Sequence, residues 1–468
     1  MNIPNARKPE AYDAVVVGCG PAGILAAYEL SEKTDLRILM LDKGPDIDNR
    51  KCPTSRGIGC ARCIPCSLLS GWGGAGAFSD GKLTLSSEVG GWLSEYLDGN
   101  ELNGLIDHVD KVYLKFGAPE KLYGTDFDKM EEIERKASLA GLKLVREKLR
   151  HLGTEECVHI LKRVKHSLEK KVEIRTNTEV KNLLVEGNHV GGVSLGDEEV
   201  AAKYVVAAPG RVGAEWLTEE AKRLGLKTLN NPIDVGVRVE VPAPVMEETT
   251  QVLYEPKFVF FSKSFDDKIR IFCVCPGGEV ITESYNDVIT VNGQSYAETK
   301  SGNTNFAILV STSFTEPFKE PIAYGKYIAR LANLLSGGII IQRLGDLEGG
   351  RRSTHERIAR NLVVPTLKTA TPGDLSFVLP YRYLSDIREM LRAMDQVSPG
   401  IYSKHTLLYG VEVKFYSSKL ELSNALETKI HNLFAVGDGA GVTRGLIQAS
   451  VSGVVAAKEI KKRQEGSK

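Results

Sequence analysis

The hydrophobic pattern near the start of the chain predicts a strand, a turn, a helix and a second strand. Residues 14–17 (AVVV) form a short β-branched run, as in buried parallel strands. The glycine motif GCGPAG of residues 18–23 follows at once, and residues 24–30 then have helical composition. A second apolar run, residues 38–41, ends in Asp42. This order predicts a βαβ unit with a glycine-rich first turn.

The glycines of this unit have separate roles if it binds a dinucleotide. Gly18 permits a tight turn, Gly20 lets a pyrophosphate approach the backbone, and Gly23 lets the helix pack closely on the strand. A helix beginning at Pro21 and Ala22 directs the free N–H groups of its first turn at the phosphates. The alternative is an ordinary βαβ unit with a glycine turn, which leaves the acid after the second strand unexplained.

That acid indicates which dinucleotide to expect. Asp42 stands 19 residues after Gly23, where it can accept hydrogen bonds from a ribose hydroxyl group, and Lys43 follows it as a further candidate contact. A carboxylate here would repel the 2′-phosphate of NADP. The motif therefore favours FAD or NAD.

Later segments extend the predicted sheet. Residues 172–195 contain three short apolar runs that predict a β-meander, and residues 204–210 (YVVAAPG) are an apolar strand that closes on a glycine. Residues 432–441 (NLFAVGDGAG) are a strand ending in Gly-Asp, and residues 446–460 have helical composition. The candidate cofactor contacts in these segments are Val180, Ala208, Gly210, Gly437, Asp438, Gly445 and Leu446.

Together these segments resemble the glutathione-reductase-like FAD/NAD(P)-binding flavoproteins over residues 13–460. The resemblance implies that Asp438 contacts the ribityl–phosphate region of FAD and that the terminal helix dipole faces the flavin. A finer resemblance is to the uncharacterised FAD-dependent dehydrogenases. It is carried by GWGGAGAFSDGKL (71–83), RHLGT (150–154), FCVCPGG (272–278) and GDGAGVTRG (437–445). It implies FAD as cofactor and a dehydrogenase or reductase reaction on a small molecule, with no particular substrate.

The resemblance also supplies candidates for the flavin face. It implies that the glycine loop lies along the phosphates and the flavin ring through Gly73, Gly74, Ala75 and Ser79. Arg444 is a candidate for binding the substrate or the pyrimidine edge of the flavin. His151 is a candidate proton donor, although a lone histidine is more often structural. Residues 351–355 (RRSTH) either clamp a carboxylate or phosphate or form a solvated charge run.

The predicted fold is α/β, with a Rossmann-like FAD-binding domain (parallel sheet plus β-meander) and an inserted mixed α+β substrate domain. We expect the FAD-binding domain over residues 1–230 and 400–468. It carries a helical insertion at about 100–170, in which residues 127–152 are predicted to be helical. The substrate domain is expected over residues 231–399. Residues 231–436 contain no second strand–GxGxxG–helix unit, so a nicotinamide donor would bind only transiently.

Four cysteines crowd into fifteen positions with the spacing C-x7-C-x2-C-x2-C. Thiolates at this spacing can converge on one metal, and the short spacing favours an iron–sulfur cluster over zinc. Free thiols in a loop are the remaining alternative. The four candidate ligands are Cys52, Cys60, Cys63 and Cys66.

The other cysteines are predicted to be structural. Cys273 and Cys275 alternate in an apolar strand, so their side chains should share one face. Strand geometry disfavours a disulfide between them, and small buried hydrophobes are favoured over a redox pair. Cys19 and Cys157 are also expected to be structural.

Composition limits the remaining function classes. The 60 basic and 60 acidic residues cancel, which argues against nucleic acid or an anionic membrane as partner. No apolar run is long enough to cross a membrane, and the first one belongs to the glycine motif, so we expect a cytoplasmic protein without a cleaved leader. The alternatives to an oxidoreductase are a flavin/iron–sulfur electron-transfer protein with a redox partner, or a thiazole-synthase-like enzyme that consumes the dinucleotide. The sequence does not indicate an oligomeric state.

Overall fold

The computed structural model describes residues 10–52, 63–229, 231–285, 288–296, 299–314, 318, 320–415 and 419–466. The helices are α1 (Pro21–Lys33), α2 (Gly99–Lys115), α3 (Phe127–Leu139), α4 (Thr154–Leu168), α5 (Ala214–Arg223), α6 (Ala243–Leu253), α7 (Pro321–Ser336), α8 (Leu344–Glu348), α9 (His355–Ala359), α10 (Tyr381–Asp395) and α11 (Leu446–Glu465). The strands are β1 (Glu10–Val17), β2 (Ile38–Leu41), β3 (Lys82–Leu85), β4 (Lys143–Val145), β5 (Lys148–His151), β6 (Val172–Arg175), β7 (Asn182–Glu186), β8 (His189–Ser194), β9 (Glu199–Ala207), β10 (Thr228–Leu229), β11 (Ile233–Pro242), β12 (Lys257–Phe261), β13 (Lys268–Cys275), β14 (Glu279–Tyr285), β15 (Val288–Gln294), β16 (Asn303–Thr312), β17 (Ile340–Arg343), β18 (Thr371–Pro372), β19 (Leu407–Lys414), β20 (Lys419–Leu420) and β21 (Leu433–Ala435).

The chain divides into two compact units. The first unit falls within residues 1–119, 154–229 and 417–468, and the second within 120–153 and 230–416. This division differs from the predicted domain boundaries in two places, because residues 120–153 and 400–416 lie in the second unit. Across the described residues, no helix combines the length and apolar character needed to cross a bilayer.

The first unit is built on a largely parallel sheet with the strand order β6-β2-β1-β9, and β21 pairs with β9 in parallel. Antiparallel β7 and β8 continue from β9 as a meander. The apolar runs of β1 and β2 are buried, as expected for parallel strands covered on both faces. This is the predicted Rossmann-like sheet with a β-meander.

The second unit contains an eight-stranded sheet in the order β18-β17-β19-β11-β16-β13-β12-β4, antiparallel except for the β17–β18 pair. Alternate residues of β11 point to opposite faces. Its odd-numbered residues, from Ile233 to Val241, join a core with side chains of α3, α6, α7 and α10. Its even-numbered residues include Asp234, Arg238 and Glu240, which are buried on the opposite face. The mixed α+β character predicted for the inserted region is thus present.

Two sequence predictions of secondary structure were wrong. The helix predicted over residues 127–152 ends at Leu139, because Gly141 adopts a positive φ of 77° and the alternating residues that follow form β4 and β5. The run at residues 172–175 is not part of the meander. It is β6, which pairs in parallel with β2 at the edge of the main sheet.

Candidate functional site

In the first unit, three strands end side by side at the same edge of the sheet. Val17 at the end of β1 lies opposite Ala207 of β9, and Ala207 lies opposite Ala435 of β21. The backbone stays paired one step beyond each strand, since Ala208 N donates to Val17 O at 2.7 Å and Val436 N donates to Ala207 O at 2.9 Å. The predicted glycine turn, the Ala-Pro-Gly turn and the Gly-Asp turn therefore meet at one edge, where α/β sheets bind ligands.

Two glycines of the first turn are required by the packing of the protein itself. Gly18 has φ +105°, and a Cβ built there would lie 2.1 Å from the carbonyl oxygen of Ala208. A Cβ on Gly23 would lie 2.0 Å from the carbonyl oxygen of Gly18. These contacts agree with the roles predicted for both residues, a tight turn and close helix packing.

Two other glycines are not required by the protein. Gly20 is the N-cap of α1 and Gly445 is the N-cap of α11, and both have extended backbones, with φ −82° and −167°. A Cβ on Gly20 would meet nothing closer than 4.0 Å, and one on Gly445 nothing closer than 3.8 Å. Neither forms a side-chain cap, so each leaves open space beside the first-turn N–H groups of its helix.

Asp42 ties the turns of this edge together. Its carboxylate accepts hydrogen bonds from Cys19 N at 2.8 Å, Gly44 N at 2.8 Å and Gly71 N at 2.9 Å. A carboxylate has about four acceptor positions, so three amides leave capacity for one further donor such as a ribose hydroxyl. Asp42 thus has a structural role that the sequence did not predict, in addition to the predicted binding role. The adjacent Lys43 is half-buried.

The glycine loop predicted to follow the phosphates packs against the first turn. Gly73 N donates to Cys19 O at 2.8 Å, and a Cβ on Gly74 would lie 2.9 Å from Gly20 Cα. Residues 74–78, which include Ala75, form a short 3₁₀ turn, and the Ser79 hydroxyl donates back to Gly76 O at 2.9 Å. The loop therefore forms a wall beside the open space at Gly20.

Arg50 holds this loop in place and was missed by sequence reasoning. It is 5% exposed and donates to the carbonyl oxygens of Ser67, Leu68 and Trp72 at 2.6–2.9 Å. Burial lowers the pKa of its guanidinium to about 10, and the charges of Asp42 and Cys66 oppose that shift. An isolated arginine between two loops carries no sequence signal that distinguishes it from a surface arginine.

The Gly-Asp turn after β21 is fixed by hydrogen bonds at both residues. Gly437 has φ +75°, and its N–H donates to the Ser452 hydroxyl of α11 at 2.9 Å. The Asp438 carboxylate accepts from the Thr443 hydroxyl at 2.7 Å, and Arg211 Nε lies 4.0 Å from it. Burial raises the pKa of Asp438, opposed by Arg211, Thr443 and the nearby Arg444.

The terminal helix lies directly against the first one. A Cβ on Gly453 of α11 would lie 2.0 Å from the carbonyl oxygen of Ala22, so only glycine permits this approach. Leu446 starts α11, and Pro21 and Ala22 start α1, as predicted. Two further candidate contacts are Val180, 6% exposed in the core of this unit, and Gly210, which has φ +63°.

The two predicted catalytic residues lie in different units. In the first unit, the guanidinium carbon of Arg444 is 3.8 Å from the centre of the Trp92 ring. In the second unit, the ring of His151 stacks on Tyr254 with 4.4 Å between ring centres, and its Nε2 lies 3.1 Å from the Tyr254 hydroxyl. Tyr254 adopts a positive φ of 57°. The His151–Tyr254 pair gives the histidine a fixed orientation that the sequence did not reveal.

The predicted cysteine cluster is described only in part, because Cys60 lies outside the described residues. For the other three cysteines, the Sγ atoms do not all lie within 4.8 Å of one another. Burial raises the pKa of the Cys66 thiol, backbone hydrogen bonds oppose the shift, and the charges of Cys63 and Cys52 add to it. Cys63 and Cys66 are free thiols.

The arginine run at residues 351–355 has an internal partner in the second unit. Asp346 is fully buried, and its carboxylate accepts from the Ser353 hydroxyl at 2.8 Å and from Arg351 Nε at 3.1 Å. Arg357 donates to the same carboxylate at 3.3 Å. Hydrogen bonding with the serine and arginines holds the pKa of Asp346 low against the effect of burial. Of the two predicted roles for the run, this structure favours neither, because Arg351 already binds a carboxylate of its own chain.

The sheet and its three glycine-bearing strand ends have the arrangement of a Rossmann-like fold. Residues 232–415 match the family model described as "FAD-dependent protein, C-terminal domain-like". This match confirms the resemblance to FAD-dependent proteins that the motifs predicted.

Individual proteins show more distant similarity. A protein of Clostridium beijerinckii, described as uncharacterized, is 25% identical over 472 residues, which cover 95% of this chain and 80% of that protein. Among solved structures, L-proline dehydrogenase from P. horikoshii matches with a TM-score of 0.42 and 13% identity over 97% of this chain and 95% of its own. Glycine oxidase from Geobacillus kaustophilus matches with a TM-score of 0.39, 13% identity and the same coverages.

Proposed function

We propose that this protein is an oxidoreductase that binds FAD along the strand-end edge of its first unit and acts on a small molecule. The observation that carries the proposal is the pair of glycine N-caps at Gly20 and Gly445. Both are in extended conformations open to any residue and both lack a steric reason to be glycine in the protein. A ligand with phosphate groups and a flat ring system accounts for the missing side chains.

The residues at this edge fit the parts of FAD. The first-turn N–H groups of α1 would face the pyrophosphate, and the remaining acceptor position of Asp42 would take an adenosine ribose hydroxyl. Asp438, with its raised pKa, would face the ribityl chain. Bound FAD supplies two-electron chemistry, and the protein contributes orientation and exclusion of water.

The binding site is tested by Gly20→Ala, with Gly104→Ala as the control. A methyl group placed where a ligand packs costs about 1–3 kcal/mol, so the Kd for FAD should rise roughly 10- to 100-fold. Gly104 lies in α2 with no atom within 4 Å of its Cβ position, so that variant should bind FAD normally. Isothermal titration of FAD into the FAD-free proteins measures both values.

Both FAD-free variants should unfold at the wild-type temperature or above it. A Gly20→Ala protein with unchanged FAD affinity would overturn the assignment of this edge.

The reaction class needs its own measurement. Anaerobic FAD-loaded protein should lose its flavin absorbance when NADH, NADPH or a fractionated pool of small metabolites is added, and regain it in air. Failure of every fraction to reduce the flavin, in protein that binds FAD tightly, would argue against an oxidoreductase. An adenylated product recovered in place of intact FAD would favour the thiazole-synthase-like alternative.

A flavin/iron–sulfur electron carrier is the second candidate, favoured by the C-x7-C-x2-C-x2-C spacing of Cys52, Cys60, Cys63 and Cys66. In this case anaerobically purified protein should contain iron and sulfide in proportion and should absorb beyond the flavin bands. Zinc without iron would favour a structural zinc site. Purified protein that contains no zinc and no iron would exclude both the iron–sulfur cluster and the zinc site.

A further inference from the structure

The strand that carries Cys273 and Cys275 is interrupted by a β-bulge between Phe272 and Cys275. In the pairing of β13 with β16, Phe272 lies opposite Ala307 but Cys275 lies opposite Asn305. Three steps on one strand thus match two on the other, which is one extra residue in β13. Cys273 has φ +50°, in the left-handed region that non-glycine residues rarely adopt. The backbone is therefore not a regular strand at this point, although the two cysteine side chains lie together as predicted.

The bulge brings the two thiols together. Their Sγ atoms are 3.8 Å apart, and the Cys275 thiol also lies 3.5 Å from the carbonyl oxygen of Cys273. Strand geometry disfavours a disulfide between residues i and i+2 only while both keep extended backbones. The left-handed conformation of Cys273 removes that condition.

A buried arginine stands beside both cysteines. Arg238 is fully buried, and its Nη2 lies 3.3 Å from Cys275 Sγ and donates to Cys273 O at 2.6 Å. The other side of the guanidinium is fixed by Asn305 at 2.8 Å and by Glu412 at 3.3 Å. The guanidinium favours the thiolate of Cys275, the reactive form of cysteine, and its ion pair with Glu412 offsets part of that effect.

The exposure of the two residues gives them different roles. Cys273 is half-buried, whereas Cys275 is fully buried. A small disulfide can therefore reach Cys273. Cys275 is positioned to attack the mixed disulfide that then forms on Cys273. Two small hydrophobic residues would need neither the neighbouring guanidinium nor a strained backbone.

We propose that Cys273 and Cys275 form a redox-active dithiol that exchanges with low-molecular-weight disulfides. The Cys273 thiolate attacks one sulfur of the external disulfide, which forms a mixed disulfide and releases one thiol. The Cys275 thiolate then attacks Cys273 Sγ, which closes the internal disulfide and releases the second thiol. Two electrons and two protons pass to the external disulfide, and the reverse steps restore the dithiol. This activity goes beyond the proposed flavin chemistry and does not depend on it.

The test equilibrates the full-length protein with mixtures of oxidised and reduced glutathione, then alkylates the remaining thiols. Both cysteines lie in one tryptic peptide, residues 271–300, which contains no other cysteine. In the oxidised mixture this peptide should be an unalkylated internal disulfide. In the reduced mixture it should carry two alkyl groups. A peptide that stays doubly alkylated at every ratio, or carries only glutathione, overturns the proposal.

Variants separate the two steps. Cys275→Ser should stop at a stable glutathione adduct on Cys273, whereas Cys157→Ala, which removes a buried thiol outside the pair, should leave the exchange unchanged. The internal disulfide cannot form in Cys275→Ser, so the adduct on Cys273 has no internal thiol to release it. An unmodified Cys273 in a folded Cys275→Ser protein would count against Cys273 as the attacking thiol. If that variant does not fold, the masses of the wild-type peptide 271–300 in the oxidised and reduced mixtures decide whether the dithiol exchanges.

Discussion

Replacing Asp42 with alanine should weaken the first unit even when no cofactor is bound. The substitution removes three hydrogen bonds from backbone amides to one carboxylate, at 2.8, 2.8 and 2.9 Å. Hydrogen bonds to a charged group contribute about 1.5–3 kcal/mol each when buried. Because Asp42 is only half-buried, water can replace part of that bonding, and we expect a total loss of about 2–4 kcal/mol.

Asp42→Asn gives a graded comparison. The asparagine oxygen can keep the bonds to Gly44 and Gly71, but its amide group would face the Cys19 N–H, which is also a donor. We therefore expect a loss of about 1–2 kcal/mol, roughly half that of the alanine variant. Asp35→Ala, at an exposed acid beyond α1, is the control and should change stability by less than about 0.5 kcal/mol.

Urea unfolding of the FAD-free proteins, followed by tryptophan fluorescence, measures these losses of stability in the first unit, which contains Asp42. Trp72, Trp92 and Trp216 are the three tryptophans of the chain, and all lie in the first unit. FAD affinity should fall in addition, by roughly 10- to 100-fold, through the lost ribose contact. FAD-free Asp42→Ala protein that unfolds at the wild-type urea concentration would refute the structural role, whatever happens to FAD binding.

Two further predictions concern one residue in each unit. Arg50→Met should destabilise the first unit by about 2–4 kcal/mol in the same tryptophan assay, because three carbonyl oxygens lose their charged donor; an Arg50→Lys protein as stable as wild type would refute the three-way role. In the second unit, burial raises the pKa of Asp386 to about 6, so the folded state favours the neutral acid. The stability that the neutral acid contributes to the wild type is fully present below pH 4 and is lost as the pH rises through 6. Because asparagine is neutral at every pH, Asp386→Asn should stabilise the protein by about 1–3 kcal/mol at pH 8 and not at pH 4. Thermal unfolding at both pH values by circular dichroism checks this, and an equal shift at both would contradict it.

The parts of the fold that could be predicted depend on residues close together in the chain. The βαβ unit is local: a β-branched run, a glycine turn and a helix within thirty residues leave few alternatives, and Gly18 and Gly23 serve the predicted purposes. The position of β6 was missed because a four-residue apolar run does not reveal its partner, and β2 lies far away in sequence. Arg50 and the His151–Tyr254 pair depend on tertiary contacts that no local pattern encodes.

The bulge at Cys273 shows where the alternation of side chains along a strand stops predicting which face each one occupies. A period of two predicts the facing of side chains only while the backbone stays extended, and one inserted residue reverses that prediction for everything beyond it. The sequence CVC is as compatible with a regular strand as with a bulge, so alternation alone could not reveal that the thiols meet.

The glycines of the strand-end edge fall into two groups that look alike in the sequence: those required by the packing of the protein and those that are not. In the sequence Gly18, Gly20 and Gly23 belong to one motif, whereas in the structure they differ in what an added Cβ would meet. Gly18 and Gly23 would collide with carbonyl oxygens near 2 Å, so their substitution reports on folding. Gly20 and Gly445 would meet no protein atom within 3.7 Å and have ordinary backbone angles, so their substitution reports on a ligand. A glycine that the protein does not need marks a binding site only where it caps a helix at this edge, since a Cβ on Gly104 of α2 would also meet no atom within 4 Å.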